Sequence, residues 1–530
     1  MNILINKIMK FKTSKSNLYD YLVIILGLAV VSEWTLFRFF IKKFNYDLVG
    51  QQVLTTQIIS GFHQNSLLGT TNYIYKMIFI YGPFSLLSIN PILKLEIITL
   101  AINAFTFICI ILLLKKIYEH FIKISTKLDK TLLLFFSSIS GSVYWIEYAN
   151  SRNIEVVMGL VLLYLVISIT KDWNINKVIL IFVFSSILFF SDPLQIVMSL
   201  LPAMIYYLFK NIRKSNFISR KSLILYASIL LGYVFSKIAL LLSNKILGIK
   251  IIPLTAHDNG YGPFMSIVKG FIPGLKQFGR LYVGGHEYGF IIEALNLSLL
   301  MWSLLMVVYF AIKKKININL ISLILIFFST DFLFYISSGQ SMQRQTSRYL
   351  IMTVPLFILL LMHLTNIKSR LSIALKYFIL FITLINIFKL CDLYLGSIKT
   401  RYSSNSQINS AIEYVKKPYM VSLASMDTAI PADYLTNGKL KLLPLNCISG
   451  SKLIGVNLFF DKEYYINSLK NSQEEIPIIF DGANISSYPI ICDIKSAEII
   501  FGNPIRTETT SNGSIVLIYS KNTILNKLSF

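Results

Sequence analysis

Eleven apolar runs dominate this chain, at 20–41, 95–114, 131–147, 154–170, 178–190, 194–209, 222–243, 291–311, 319–337, 349–365 and 373–395. A helix needs about 20 apolar residues to cross a bilayer, and as few as about 17 suffice. Most of the runs reach that length, and 178–190 does so by recruiting its neighbours. The rest of the composition agrees. Hydrophobic residues make up 55% of the 530 and charged residues 14%, where a soluble domain carries roughly 25% charge. The expected fold is a polytopic α-helical membrane protein with about 11 transmembrane helices. A further apolar stretch, 74–90, is interrupted by Lys76 and by Gly82-Pro83. It reads as a helix lying at, or re-entering, the membrane surface.

The formal net charge of +24 points to membrane orientation and not to nucleic acid. Residues 396–530 hold 13 basic and 11 acidic side chains, so almost all of the excess lies in 1–395. Basic residues in short loops stay on the cytoplasmic side. With residues 1–19 inside, every short basic loop falls inside: 115–130, 171–177, 210–221 ("KNIRKSNFISRK"), 312–318 and 366–376. The lysines before the first run, with no small-residue cleavage site after it, read as an uncleaved first span. Outside then lie the loops 42–94 and 244–290, the turn 148–153, and everything beyond about 396. The division is a transmembrane domain, 1–395, and an extracytoplasmic domain, 396–530. In the second, strand-like segments bounded by Gly, Asn and Pro ("PYMVSLA", "KLKLLPL", "IPIIFDG", "GSIVLIYS") alternate with helical spacing ("SQINSAIEYVKK"). That alternation predicts a small α/β domain. Cys447 and Cys492 fall here and either pair or serve as small apolar residues.

The acids on the outside carry the chemistry. Asp47, in "FNYDLVGQQVL", is placed either to cap the helix that follows or to act as a general base. The stretch "YWIEYANSRNIEVVMGL" brings Glu147, Arg152, Asn153 and Glu155 around one tight turn. Glu155 follows Arg152 by three residues, so the two can share a helix face and pair; the alternative is that they orient a substrate, with Arg152 on a phosphate. Asp192, before Pro193, either starts a helix or joins Asp47 and Glu155 in an outer vestibule. Arg344 and Arg348 stand at an outer boundary, with Tyr349 beside the second. They are either interfacial anchors or bidentate phosphate ligands. His257 and Asp258, with His286 and Glu287, lie in glycine-rich turns of the loop 244–290 that read either as a mobile flap over a site or as a metal-binding segment. No motif requires a cofactor. A divalent cation, magnesium or manganese, would be held by Asp47 and Glu155 through hard oxygen ligands. No P-loop, dinucleotide fingerprint or serine-hydrolase elbow occurs, which removes support for ATP-driven transport and serine hydrolysis.

The whole pattern resembles the GT-C superfamily of integral-membrane glycosyltransferases, which includes protein mannosyltransferases, the aminoarabinose transferase of lipid A and bacterial oligosaccharyltransferases. Local likeness to uncharacterised bacterial members lies in "LGTTNYIYKM" (68–77), "ADYLTNGKLKLLPL" (432–445) and "FGNPIRTETTSNGSIVLIY" (501–519). The resemblance implies transfer of a sugar from a polyprenyl-phosphate donor to a glycan, lipid or protein acceptor at the outer face of the cytoplasmic membrane. Its first-loop acid is matched by Asp47. Its second acidic site is matched by Glu147 or Glu155, and its phosphate-holding arginine by Arg348 or Arg152. The acidic doublet of some members and the WWDYG-type signature do not occur here. Two other readings stay open: a polysaccharide polymerase or ligase, and a non-enzymatic transporter of lipid-linked glycans.

Overall fold

The computed structural model describes residues 25, 28, 46–59, 67–68, 77–87, 89–122, 153–191, 196–212, 219–247, 250–251, 263–281, 290–338, 350, 352–400, 406–415, 421–436, 441–448, 452–455, 462–480, 494–511 and 513–529. The spans expected at 20–41 and 131–147 therefore lie outside the described residues, apart from Ile25 and Leu28.

Helix α1 (Tyr46–Ile59) opens the first loop, followed by a two-residue strand β1 (Leu67–Leu68), a π-helical turn (Met77–Tyr81) and the four-residue α2 (Gly82–Ser85). The stretch 77–85 is too short to cross a bilayer. Long helices follow: α3 (Pro91–Phe121), α4 (Asn153–Lys171), α5 (Ile175–Ser191), a second π-helical turn (Ile196–Leu200) running into α6 (Leu201–Ile212), and α7 (Arg220–Leu247). After strand β2 (Lys250–Ile251) come α8 (Pro263–Leu281), α9 (Phe290–Ile312), α10 (Ile318–Ser337), α11 (Thr353–Asn366) and α12 (Arg370–Thr400).

The chain is a multi-pass membrane protein. Five of the described helices contain a segment long and apolar enough to cross a membrane: Leu93–Phe121, Ile154–Lys171, Arg220–Ile246, Ala294–Ile312 and Ile318–Ser337. Three shorter apolar helices accompany them. Fourteen residues of α11 rise only about 21 Å, and every residue from Thr353 to Thr365 is buried. This helix therefore runs through the centre of the bundle. Between the two glycine-rich turns of the loop 244–290, which lie almost wholly outside the described residues, runs a 19-residue helix, α8. Its Ser266, Gly270 and Gly274 are buried while Phe264, Val268 and Ile272 are exposed. Small residues four apart form one face, and that face admits α10: a Cβ at Gly274 would lie 2.9 Å from Ile336.

Close approach also fixes α7, the most lipid-exposed span. It packs on α5 through Gly232, where an added Cβ would sit 2.6 Å from Ser185 Oγ and 3.3 Å from the Phe182 carbonyl oxygen. Gly232→Leu is expected to cost about 1–3 kcal/mol by overpacking and to push α7 off α5. A disulfide cross-link between cysteines placed on these two helices, formed efficiently in the parent and poorly in the variant, would show it.

The remaining chain forms the C-terminal domain: α13 (Ser406–Val415), β3 (Val421–Ala424), α14 (Met426–Leu435), β4 (Lys441–Ile448), β5 (Lys452–Gly455), α15 (Lys462–Lys470), β6 (Glu475–Phe480), α16 (Ile494–Phe501), β7 (Arg506–Thr509), β8 (Ile515–Ser520), α17 (Lys521–Lys527) and β9 (Leu528–Ser529). Seven strands lie in the order β7-β8-β6-β3-β4-β5-β9. β3 is parallel to both β4 and β6, with Leu423 opposite Leu443 on one side and Ile478 on the other. β8 runs antiparallel to β6. Every residue of β3 is buried, as expected for a central strand covered on both faces.

Two ends of the bundle can be told apart by their contacts. At one end Asn317 caps α10, its side chain accepting from the Asn319 and Leu320 amides. It also donates to the Phe121 carbonyl at 2.9 Å, and its own amide donates to His363 Nε2 at 3.0 Å. Lys210 reaches Asn319 there at 2.7 Å. This end gathers the basic loops. At the other end β1 and β2 pair in parallel, Leu67 opposite Lys250 and Leu68 opposite Ile251, so the loops 42–94 and 244–290 are hydrogen-bonded to each other. The C-terminal domain packs at this end as well. Val53, Leu54, Tyr81, Leu95, Ile98 and Ile102 belong to the same buried cluster as Leu423, Ile430, Leu443 and Ile478.

Candidate functional site

Glu155 occupies the first turn of α4 and is wholly buried, with 0% exposure. A carboxylate in a first turn is favoured by the helix dipole and by the free amides of the helix start. Its neighbour Ile154 packs against both the bundle core and the C-terminal core. The carboxylate therefore sits where the two cores meet.

One turn further on, Gly159 explains how the helices converge below it. A Cβ there would stand 2.9 Å from Ser199 Cβ, 3.0 Å from Ser199 Oγ and 3.3 Å from Met352 Cε. Ser199 belongs to the second π-helical turn, just after the segment that carries Asp192, and Met352 follows Arg348 by four residues. The described residues next to three of the expected outer turns thus meet on one glycine. Phe190, at the same end of α5, packs against the C-terminal core.

Asp47 is the second residue of α1, the helix on which α14 of the C-terminal domain packs. Asn153 opens α4. Glu147, Arg152, Asp192, His257, Asp258, Arg344, Arg348 and Tyr349 lie outside the described residues, as does Cys492. No group of three or more His, Cys, Asp or Glu side chains suited to a metal ion occurs among the described residues.

Two polar residues escaped the sequence reading. Asp331, in α10, is 1% exposed, and neither carboxyl oxygen has a hydrogen-bond partner among the described residues. Asn296, in α9, is equally buried, with neither end of its amide bonded among the described residues. An acid within a span is costly, about 3 kcal/mol on insertion scales, and marks a polar path through a bundle. The signal was visible: Asp331 interrupts the apolar run "FFSTDFLFY". α10 packs against the second π-helical turn, the turn whose Ser199 meets Gly159.

No family model and no curated protein matches the sequence. Among solved structures there is a likeness. The crystal structure of ArnT from Cupriavidus metallidurans bound to undecaprenyl phosphate matches 94% of this chain and 98% of its own, at 9% identity and a TM-score of 0.46.

Proposed function

We propose that the chain is a GT-C-type glycosyltransferase. It moves a sugar from a polyprenyl-phosphate donor to an envelope glycan, lipid or protein acceptor at the outer face of the cytoplasmic membrane. The observation that supports this reading is the fully buried Glu155 at the head of a span, above the glycine where helices from three outer turns converge. A polar group so placed serves a sheltered cavity better than a lipid-facing surface.

In this reading Asp47 takes the proton from the acceptor hydroxyl or amine. The acceptor's freed electron pair attacks the anomeric carbon, and the bond from that carbon to the phosphate oxygen breaks with inversion. Polyprenyl phosphate leaves carrying the electron pair of that bond. Arg348 or Arg152, aided by Arg344, holds the phosphate bidentately. Glu155 or Glu147 orients the acceptor beside Asn153, Asp192 and Tyr349, with His257 and Asp258 at the rim. The basic end of the bundle faces the cytoplasm, and the C-terminal domain faces outside.

A second reading, transport of a lipid-linked glycan, is favoured by one observation, the unpartnered Asp331 inside a span. Mass spectrometry of envelope glycans and lipid-linked sugars, combined with a membrane-impermeant probe that modifies only outer-leaflet sugars, separates the two. In cells lacking the protein, transfer predicts that one sugar disappears from its acceptor while its polyprenyl-phosphate donor accumulates at the outer leaflet. Transport predicts accumulation at the inner leaflet. An unchanged profile overturns both.

A further inference from the structure

The C-terminal domain reaches the membrane domain through α14, and the middle of this helix is buried all round. Every residue from Thr428 to Tyr434 is buried. α14 lies between the strands β3 and β4 on one side and α1 and α3 on the other. Ala429 and Ala432, both at 0% exposure, keep the helix thin enough for this double contact. Ile430 shares its cluster with Val53 and Leu54 of α1. At the end of the helix the Tyr434 hydroxyl donates to the Pro91 carbonyl oxygen, the first residue of α3, at 3.0 Å. That bond is buried, and it joins segments more than 300 residues apart in sequence.

From this geometry we propose that α14 is a positioning element for α1, and that Tyr434 is the positioning residue that anchors α14 by its bond to the head of α3. The inference rests on the reading of Asp47 as the base. Asp47 stands one residue from the start of α1, so its placement follows the axis of that helix. The axis is set by what α1 packs against, which is α14 together with α2 and the first π-helical turn. The domain at the far end of the chain thereby aims a residue near its beginning.

Tyr434→Phe removes one hydroxyl and keeps the ring, so packing survives while the clamp on Pro91 is lost. Hydrogen exchange on the full-length protein in detergent reads the helix directly. The α1 amides are expected to exchange about 3- to 10-fold faster, in line with the loss of one net hydrogen bond. The amides of β3, β4 and β6 stay unchanged, which shows that the domain remains folded. Turnover is measured with the lipid extract of cells lacking the protein, which contains the accumulated donor. Per folded protein, kcat is expected to fall about 3- to 10-fold, with KM for the extract within twofold of the parent. Unchanged α1 exchange overturns the proposal. Faster α1 exchange with unchanged kcat also overturns it, since the helix would then move without consequence. Full turnover in Asp47→Asn is a different failure, of the base assignment itself, and is read in a separate variant.

Discussion

On the proposed reading, Asp47→Asn is expected to lower sugar transfer about 10²- to 10⁴-fold, the range for removal of a general base. The protein level and the thermal midpoint in detergent stay at parental values. Asn is the informative replacement because it caps a helix about as well as Asp. The variant therefore keeps any capping role of Asp47 at the start of α1 and loses only the carboxylate. Asp47→Ala loses both, and is expected to be about 1 kcal/mol less stable in addition. Transfer rates of membranes carrying each variant, measured at matched protein, decide between the roles. If the Asn variant transfers normally while the Ala variant is destabilised, Asp47 is a cap, and the base must be sought at Glu155 or Glu147.

The second large effect concerns stability and pH. Asp433 lies in α14, buried beside Tyr434. One of its carboxyl oxygens has no hydrogen-bond partner. Desolvation pushes its pKa up to about 7, partly opposed by the ammonium group of Lys441, which itself sits over the ring of Tyr464 at 5.4 Å. An unfolded aspartate titrates near 3.9. Between these values the folded chain holds a proton that the unfolded chain has released. Folding stability is thus greatest below about pH 4, falls as pH rises to 7, and is level above. The span is roughly 4 kcal/mol for a shift of about three units. Asp433→Asn removes the titrating group, so its unfolding midpoint is expected to vary less between pH 5 and 8. It should exceed that of the parent at pH 8. Thermal unfolding in detergent across that range checks this, and a parent-like slope in the variant would refute it.

Local signals in the sequence were read well where one element decides them. The apolar runs at 154–170, 222–243, 291–311 and 319–337 correspond to the helices α4, α7, α9 and α10 within a few residues, because a span in lipid leaves the backbone no other way to satisfy its hydrogen bonds. "GSIVLIYS" became β8 and "SQINSAIEYVKK" became α13 for the same local reasons. What sequence hid was relational. "RTET", the strand β7, is polar and largely exposed; only its pairing with β8 makes it a strand. Ser266, Gly270 and Gly274 looked like loop residues until a neighbouring helix needed their missing side chains. Tyr434 and Pro91 offer no hint of each other at their distance in sequence. For the candidate site, Glu155 is legible as a charge at the edge of a span, but its complete burial is set by the helices packed around α4, which no local pattern reveals.

The core shared by α1 and α14 also sets an order of events during synthesis. Val53 and Leu54 leave the ribosome early, yet the residues that cover them lie about 370 positions downstream. At about 5–20 residues per second, this helix waits roughly 20–70 s for its partner. A chain that stops before α14 leaves bare the face of α1 that this helix covers. The contact that joins the two ends of the protein therefore forms only after most of the chain has been made.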